Sequence, residues 1–337
     1  MAHLMDIVIT TIFPPTKGAQ ALARGAAASE GRIWVIGDRA GPKSYDLPHV
    51  RFYDIERQRN LSFSLAGLLP EKSYTRKNLG YLLAIQAGAQ IVVETDDDNI
   101  PLPDFWTPRR AALSVRAVHQ TGWFNVYRAF SSKQIWPRGF PLEELSTQTA
   151  VPTAGLVEKE CLIQQSLANG DPDVDAVYRL ILPLPVEFED GPPIALDSGC
   201  WCPFNSQNAT FFSPAFPLLY LPSFCTFRMT DIWRSLVAQR CLWEMDSQLA
   251  FTKATMFQER NEHNLLRDFE LEVPGYLKNN RLRQLLENTR LRPGRSLTLV
   301  SENLERCYEA LVRGDIISSE EIALVKAWNQ DLASLPG

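Results

Sequence analysis

The chain has 337 residues, 45% hydrophobic and 22% charged, with a formal net charge of −5. This length and balance exclude a wholly disordered chain and allow one large α/β domain with additions, or two domains sharing a cleft. The acidic charge argues against a protein built mainly to bind duplex nucleic acid, no apolar run approaches a membrane span, and the start "MAHLMDIVITT" lacks a signal core.

A cytoplasmic location is therefore expected. The six cysteines, Cys161, Cys200, Cys202, Cys225, Cys241 and Cys307, read as free thiols. Cys200 and Cys202 form a CxC pair, but no second pair or nearby histidine completes a zinc site.

"DIVITTIF" (6–13) is short and β-branched and ends at Pro14 and Pro15, which predicts a buried strand followed by a loop. "RIWVIGD" (32–38) and "VRFYD" (50–54) predict two more strands. In "SYTRKNLGYLLAIQAG" (73–88), Leu79, Leu82, Leu83 and Gln86 follow helical spacing, with Ser73 as N-cap and Gly88 as stop. The strand "AQIVVETDDD" follows at once. Strands and a helix in this order predict a doubly wound sheet, in which ligands bind beyond the carboxyl ends of the strands. From 180 to 224 the Pro-rich sequence predicts short strands and long loops. "TDIWRSLVAQRCLWEM" predicts a helix from Thr230, with Ile232, Leu236 and Trp243 on one face and Asp231, Arg234 and Ser235 on another. Beyond Lys278 the chain reads as helical and charged.

Three adjacent carboxylates, Asp96, Asp97 and Asp98, repel one another unless water or a cation takes up their charge. At an extended strand end Asp96 and Asp98 would share one side and Asp97 the other. Two converging carboxylates suit Mg²⁺ or Mn²⁺, which complete their shells with water and phosphate oxygens. The alternative is a solvated acidic turn, which a buried strand before it and the stiff "NIPLP" after it disfavour. Arg76 and Lys77 occupy the first turn of a helix, where the macrodipole disfavours cations; a bound diphosphate would explain them, and two exposed, salted cations are the alternative. Gly18, Gly25 and Gly31 form neither GxGxxG nor a Walker loop.

"RKNLGYLLAIQAGAQIVVETDDDN" resembles the STELLO family, and so do "WPRGFPLEEL", "GDPDVDAVYRL", "CPFNSQNATFF", "FRMTDIWRSLVAQRCLWE" and "QERNEHNLLRDF", in the family's order over residues 5–275. The resemblance implies a GT-A (nucleotide-diphospho-sugar transferase) α/β fold with a mixed central sheet and a helical C-terminal extension. It divides the chain into a nucleotide-sugar-binding half (1–150), an acceptor-binding half (151–275) and the extension (276–337). Asp96 to Asp98 correspond to the DxD-type motif, with Asp96 and Asp98 on the metal. Thr11, Asp38, Arg76, Lys77, Asn78, Asp96 and Asp97 fall to the donor. Asp38 is then either a nucleoside contact or a loop-forming acid before Gly41 and Pro42. Plant members are membrane-anchored in the Golgi; no anchor is expected here.

An inverting displacement needs a carboxylate to take the acceptor's proton. Asp231 fits by type and place, as the likeness to inverting synthases also implies; a structural helix cap, paired with Arg234, is the alternative. His263 is either a late third metal ligand or a surface histidine. Asp171, Asp173 and Asp175 alternate as in a calcium loop but lack its Gly and distal Glu, and read as acceptor-side structure. Lys278, Arg281, Arg283, Arg290, Arg292 and Arg295 against Glu287 form either a solvated helix face or a surface for a phosphorylated acceptor or for anionic lipid at the inner face of a membrane. The expected activity is metal-dependent transfer from a nucleotide-diphospho-sugar, a UDP-sugar first, to a glycan or glycolipid-type acceptor in polysaccharide biosynthesis. The alternatives are a nucleotide-sugar mutase or nucleotidyltransferase, and a non-catalytic module assisting a polysaccharide synthase.

Overall fold

Strand β1 (Met5–Thr11) opens the computed structural model, which describes residues 5–147, 151, 155–259 and 264–335. Helix α1 (Lys17–Ser29), strands β2 (Arg32–Gly37) and β3 (Val50–Tyr53) and the short helix α2 (Ile55–Arg59) follow. Helix α1 corrects the expectation of a loop between the first two strands. The prolines do end β1, but the Thr16 side chain accepts the Ala19 N–H at 3.1 Å and caps a helix that buries Leu22, Ala23 and Ala26. Its small residues give little apolar signal and serve close packing: a Cβ on Gly18 would lie 2.6 Å from the carbonyl oxygens of Asp97 and Asn99.

Ser73 caps a 3-10 turn, Tyr74–Arg76, that runs into α3 (Lys77–Gln86) and then β4 (Ile91–Thr95), a strand buried along its whole length. Strands β5 (Asn99–Pro101), β6 (Ala112–Val118), β7 (Gly122–Trp123), β8 (Val157–Glu160) and β9 (Ile163–Gly170) precede α4 (Ala176–Ile181). The Pro-rich stretch supplies the short strands β10 (Ile194–Leu196), β11 (Cys200–Trp201) and β12 (Asn208–Phe212). Helix α5 (Thr230–Glu244), strand β13 (Leu249–Gln258) and helices α6 (Leu265–Glu287), α7 (Leu297–Arg313) and α8 (Glu321–Ser334) complete the chain. The expected boundary at 275/276 falls inside α6.

The main sheet runs β3-β2-β1-β4-β12-β9-β13-β10-β6-β8, with β5 added beside β13. β3, β2, β1 and β4 are parallel, and β12 enters antiparallel between β4 and β9. This is a mixed α/β architecture with a large central sheet and a helical C-terminal part. After β1 the chain builds outward through β2 and β3, then returns to place β4 on the other side of β1. The crevice at that reversal, beyond the carboxyl ends of β1, β2 and β4, is where such sheets bind ligands.

The C-terminal helices are tied to loops of this core. Glu321 of α8 accepts the backbone N–H groups of Ser223 and Phe224 at 2.9 and 2.8 Å, together with the Tyr220 hydroxyl. Asp331, three turns on, accepts the N–H groups of Ser64 and Leu65 at 2.7 and 2.9 Å, and Trp328 Nε1 donates to the Pro217 carbonyl. Among the described residues no helix is long and apolar enough to cross a membrane, and the six cysteines are free.

Candidate active site

A cavity of about 810 Å³ opens at the reversal point, within the roughly 300–1,000 Å³ of small-molecule sites. Residues 10–13 at the end of β1, 36–38 at the end of β2 and Asp96 to Asp98 after β4 form one side; Tyr74, Ser206, Gln207 and Gln258 lie between; Arg138, Asp173, Arg228 and Asp231 form the other. Six carboxylates and four cations line it, so an anionic diphosphate meets a net acidic wall unless a further cation accompanies it.

The aspartates do not continue the strand as expected. β4 ends at Thr95 and Asp97 and Asp98 sit in a turn, so tertiary contacts, not the pleat, sort the three side chains. Asp97 is buried, its carboxylate accepting from the Thr11 hydroxyl and its carbonyl from the Thr16 hydroxyl. Asp96 and Asp98 are half-exposed to the cavity. Asp96 accepts from Tyr74 Oη at 3.1 Å, with Lys77 Nζ 3.7 Å away; Asp98 accepts from Gln258 Nε2 at 3.1 and 3.2 Å. Burial pushes Asp96 up to about 7 despite the pull of the Lys77 ammonium, and the charges of Asp98 and Asp231 push the same way. Burial likewise raises Asp97 to about 6 against its bond from Thr11.

The donor set fits a hard divalent ion bound through one or two carboxylates and completed by phosphate oxygens. It is not a closed cage: among the described residues no three His, Cys, Asp or Glu side chains converge as a metal cluster. His263, the expected third ligand, lies outside the described residues. Thr11 faces the cavity while holding Asp97.

Lys77 is buried beneath Asp96, donating to the Thr95 carbonyl at 2.8 Å and to Tyr74 Oη at 2.7 Å; burial lowers its pKa. Arg76, expected beside it on a diphosphate, turns the other way. Only 2% exposed, it donates from Nε to Gln58 Oε1 and from Nη1 to the Leu69 carbonyl, and its Nη2 has no hydrogen-bond partner. Consecutive residues at the start of a helix point about 100° apart, which separates the two cations. Arg76 thus belongs to the β2 end of the cavity, near Asp38. Asp38 lines the cavity while its carboxylate accepts the N–H groups of Lys72 and Ser73 at 3.0 and 2.8 Å, which fixes the loop leading to Tyr74. Asn78 is corrected outright. Its amide donates to the Leu221 carbonyl at 2.9 Å and accepts the Leu221 N–H at 2.8 Å; fully buried, it has no face toward a donor.

Helix α5 carries its polar face inward. Asp231, Arg234 and Ser235, on the face opposite the apolar one, are all at least 95% buried as well. Arg234 does not pair with Asp231; it pairs with Glu94 of β4 and lies between the rings of Phe204 and Phe211, 5.0 and 5.2 Å from their centroids. That contact docks α5 on the sheet and sets Asp231, one turn earlier, at the cavity. Asp231 accepts from Arg138 Nη1 and Nη2 at 3.0 and 2.8 Å and from Ser206 N and Oγ, both at 3.1 Å. Burial alone would raise its pKa, but the Arg138 guanidinium outweighs it and holds the carboxyl at about 2. The same guanidinium grips Asp173 at 2.8 Å through both Nε and Nη2. Gly139, at φ +84° and with no room for a Cβ against Ile232, lets the Arg138 backbone approach α5.

The sequence reading missed Tyr74, Arg138, Ser206, Gln207 and Gln258 as cavity residues, although "WPRGF" and "FNSQN" stood among the blocks that carried the resemblance. Of the alternating acids, Asp171 pairs with Arg179, Asp175 caps α4, and Asp173 alone reaches the cavity. The basic stretch is largely tied down: Lys278 donates to the Asp315 carbonyl, and Arg283, Arg292 and Arg295 pair with Glu287, Glu302 and Glu160. It offers far less free charge for a membrane than its sequence suggests.

Comparison with known proteins bears out the family resemblance. A family model described as STELLO glycosyltransferases matches residues 228–336. The Arabidopsis thaliana protein named "Probable glycosyltransferase STELLO2" is 29% identical over 271 residues, 74% of this chain and 35% of that protein. "Probable glycosyltransferase STELLO1", from the same plant, is 29% identical over 265 residues, 72% of this chain and 34% of its own length. The chain thus spans about a third of the length of these relatives. The crystal structure of M. tuberculosis glucosyl-3-phosphoglycerate synthase aligns at 12% identity and TM-score 0.38, covering 85% of this chain and 79% of that one.

Proposed function

We propose that this chain is a metal-dependent, inverting glycosyltransferase acting in the cytoplasm, which takes a nucleotide-diphospho-sugar, a UDP-sugar first, and glycosylates a glycan or glycolipid-type acceptor. The observation that carries the reading is the cavity at the β1/β4 reversal, whose acidic lining presents Asp96 and Asp98 where a diphosphate would need a cation. Asp96 and Asp98 would hold Mn²⁺ or Mg²⁺, which when bound neutralises charge on the departing nucleotide. The Lys77 ammonium, fixed under Asp96, limits the repulsion among the three carboxylates. Asp38 and Arg76 serve the nucleoside end.

Asp231 is the proposed base. Held at about 2, it is ionised throughout the working range but weakly basic. The acceptor hydroxyl must therefore displace one of the Arg138 bonds to reach it, which returns proton affinity to the carboxylate as the complex forms. A thermal-shift series with UDP, GDP and ADP sugars, each with and without Mn²⁺, tests the donor reading, because a ligand that binds only the native state raises its apparent stability. Stabilisation by a nucleotide sugar only in the presence of metal is expected; equal shifts in EDTA overturn metal dependence.

A further inference from the structure

Between the acidic turn and Asp231 runs an unbroken line of hydrogen-bonding groups. Tyr74 Oη lies 3.1 Å from Asp96 Oδ1 and 2.6 Å from Ser206 Oγ, and Ser206 Oγ lies 3.1 Å from Asp231 Oδ2. Each hydroxyl carries one proton, so two protons must serve three contacts. Lys77 Nζ adds none to the line beyond its own bond into Tyr74 Oη, which leaves the tyrosine oxygen able to accept once more.

Two arrangements keep a proton in the 2.6 Å contact. In one, Tyr74 donates to Asp96 and Ser206 donates to Tyr74; in the other, Tyr74 donates to Ser206 and Ser206 donates to Asp231. Serving both carboxylates at once would leave two oxygens 2.6 Å apart with no proton between them, which is repulsive. We propose that Tyr74 and Ser206 form a two-position hydrogen-bond relay that serves Asp96 or Asp231 but never both. Both are positioning residues. On the reading of Asp96 as the donor-side carboxylate, its engagement by the incoming metal and diphosphate releases the Tyr74 proton toward Ser206, and the Ser206 proton toward Asp231. The acceptor side of the cavity is thereby told that the donor side is filled.

The relay is tested first without any ligand. Unfolding equilibria in urea are measured for the wild type, Asp96→Asn, Asp231→Asn and the double variant, and the cycle is repeated in Tyr74→Phe and in Ser206→Ala, each of which removes one oxygen atom. The coupling between the two carboxylates in the native background should differ from that in either variant by about three- to tenfold in the unfolding constant, the size typical of residues sharing one network. A purely structural role would lower the stability of each variant and leave the coupling unchanged, and that result overturns the relay. Calorimetry with Mn²⁺ and UDP is the second arm. Asp231→Asn should alter UDP affinity in the native background and not in Tyr74→Phe. A wild type that binds no Mn²⁺ and UDP refutes the donor reading alone, since the ligand-free cycle still decides the relay.

Discussion

Replacing Asp231 by Asn separates a base from a structural carboxylate. The amide keeps the shape and one acceptor oxygen but loses the charge that faces both Arg138 nitrogens, while Arg138 keeps its grip on Asp173. Removing one partner from a buried pair costs about 3–5 kcal/mol when the other is stranded, and hydrogen bonds to charged groups are worth about 1.5–3 kcal/mol. With Asp173 still in place the lower figure applies, about 2–3 kcal/mol. The depressed pKa points the same way: a fall from 3.8 to about 2 corresponds to on the order of 2 kcal/mol. That stability is present above the unfolded value and is lost as pH falls through about 2, so the variant should be less stable than wild type at pH 7 and equal to it at the acid extreme. The melting temperature should drop by on the order of 5 °C, so this substitution is not thermally silent. As the base, Asp231 should also cost about 100- to 10,000-fold in transfer to a defined acceptor, far more than the change in donor affinity carried by the Tyr74–Ser206 relay. The assay is release of nucleotide from a sugar donor, with the product's anomeric configuration read by NMR. Transfer within a few-fold of wild type, at the predicted loss of stability, would make Asp231 only the anchor of Arg138, and retention of configuration would then be the outcome to look for.

Asp98→Ala should abolish the Mn²⁺-dependent part of UDP binding by calorimetry and leave the fold intact, as judged by circular dichroism. Arg76→Ala should weaken uridine and UDP by similar factors, because its guanidinium sits at the β2 end of the cavity; a loss confined to UDP would restore the diphosphate contact that the geometry speaks against. Burial raises Glu321 from 4.5 to about 6, so the stability it contributes is present below 4.5 and is lost as pH rises through 6. The unfolding free energy of Glu321→Gln relative to wild type should therefore improve by about 2 kcal/mol between pH 4 and pH 7.5, and a flat difference would show that the carboxyl titrates normally.

What the sequence made legible was what local pattern controls. The β-branched runs of β1, β2 and β4 and the start of α5 at Thr230 follow from periodicity and turn residues, and the acidic turn announces itself by its charge. What it hid lay in tertiary choices. Helix α1 is built of alanine and glycine chosen for close approach to the Asp97 turn, so it lacks a strong apolar stripe. Arg76 and Lys77 share one helix end, yet one is drawn to Gln58 and the other to the Thr95 carbonyl. Asn78 is polar only because a buried backbone at Leu221 needs both its donor and its acceptor. Arg234 looked like a partner for Asp231 at helical spacing, whereas the carboxylate it meets comes from 140 residues earlier in the chain.

The attachment of α8 to the core has a practical meaning for dissection of this protein. The segment matched by the family model, 228–336, holds one strand of the main sheet, β13, and four helices, but neither β9 nor β10, which flank that strand. Expressed alone, it would present both edges of β13 unpaired and would leave Glu321 and Asp331 with no backbone to cap at 223–224 and 64–65. Conversely, a chain cut before α8 would leave four N–H groups in two loops without their carboxylate partners. The hallmark region is therefore a clasp closed over the rest of the protein, and shortened versions should be designed around the Ser64, Ser223 and Asp331 contacts rather than around the limits of family similarity.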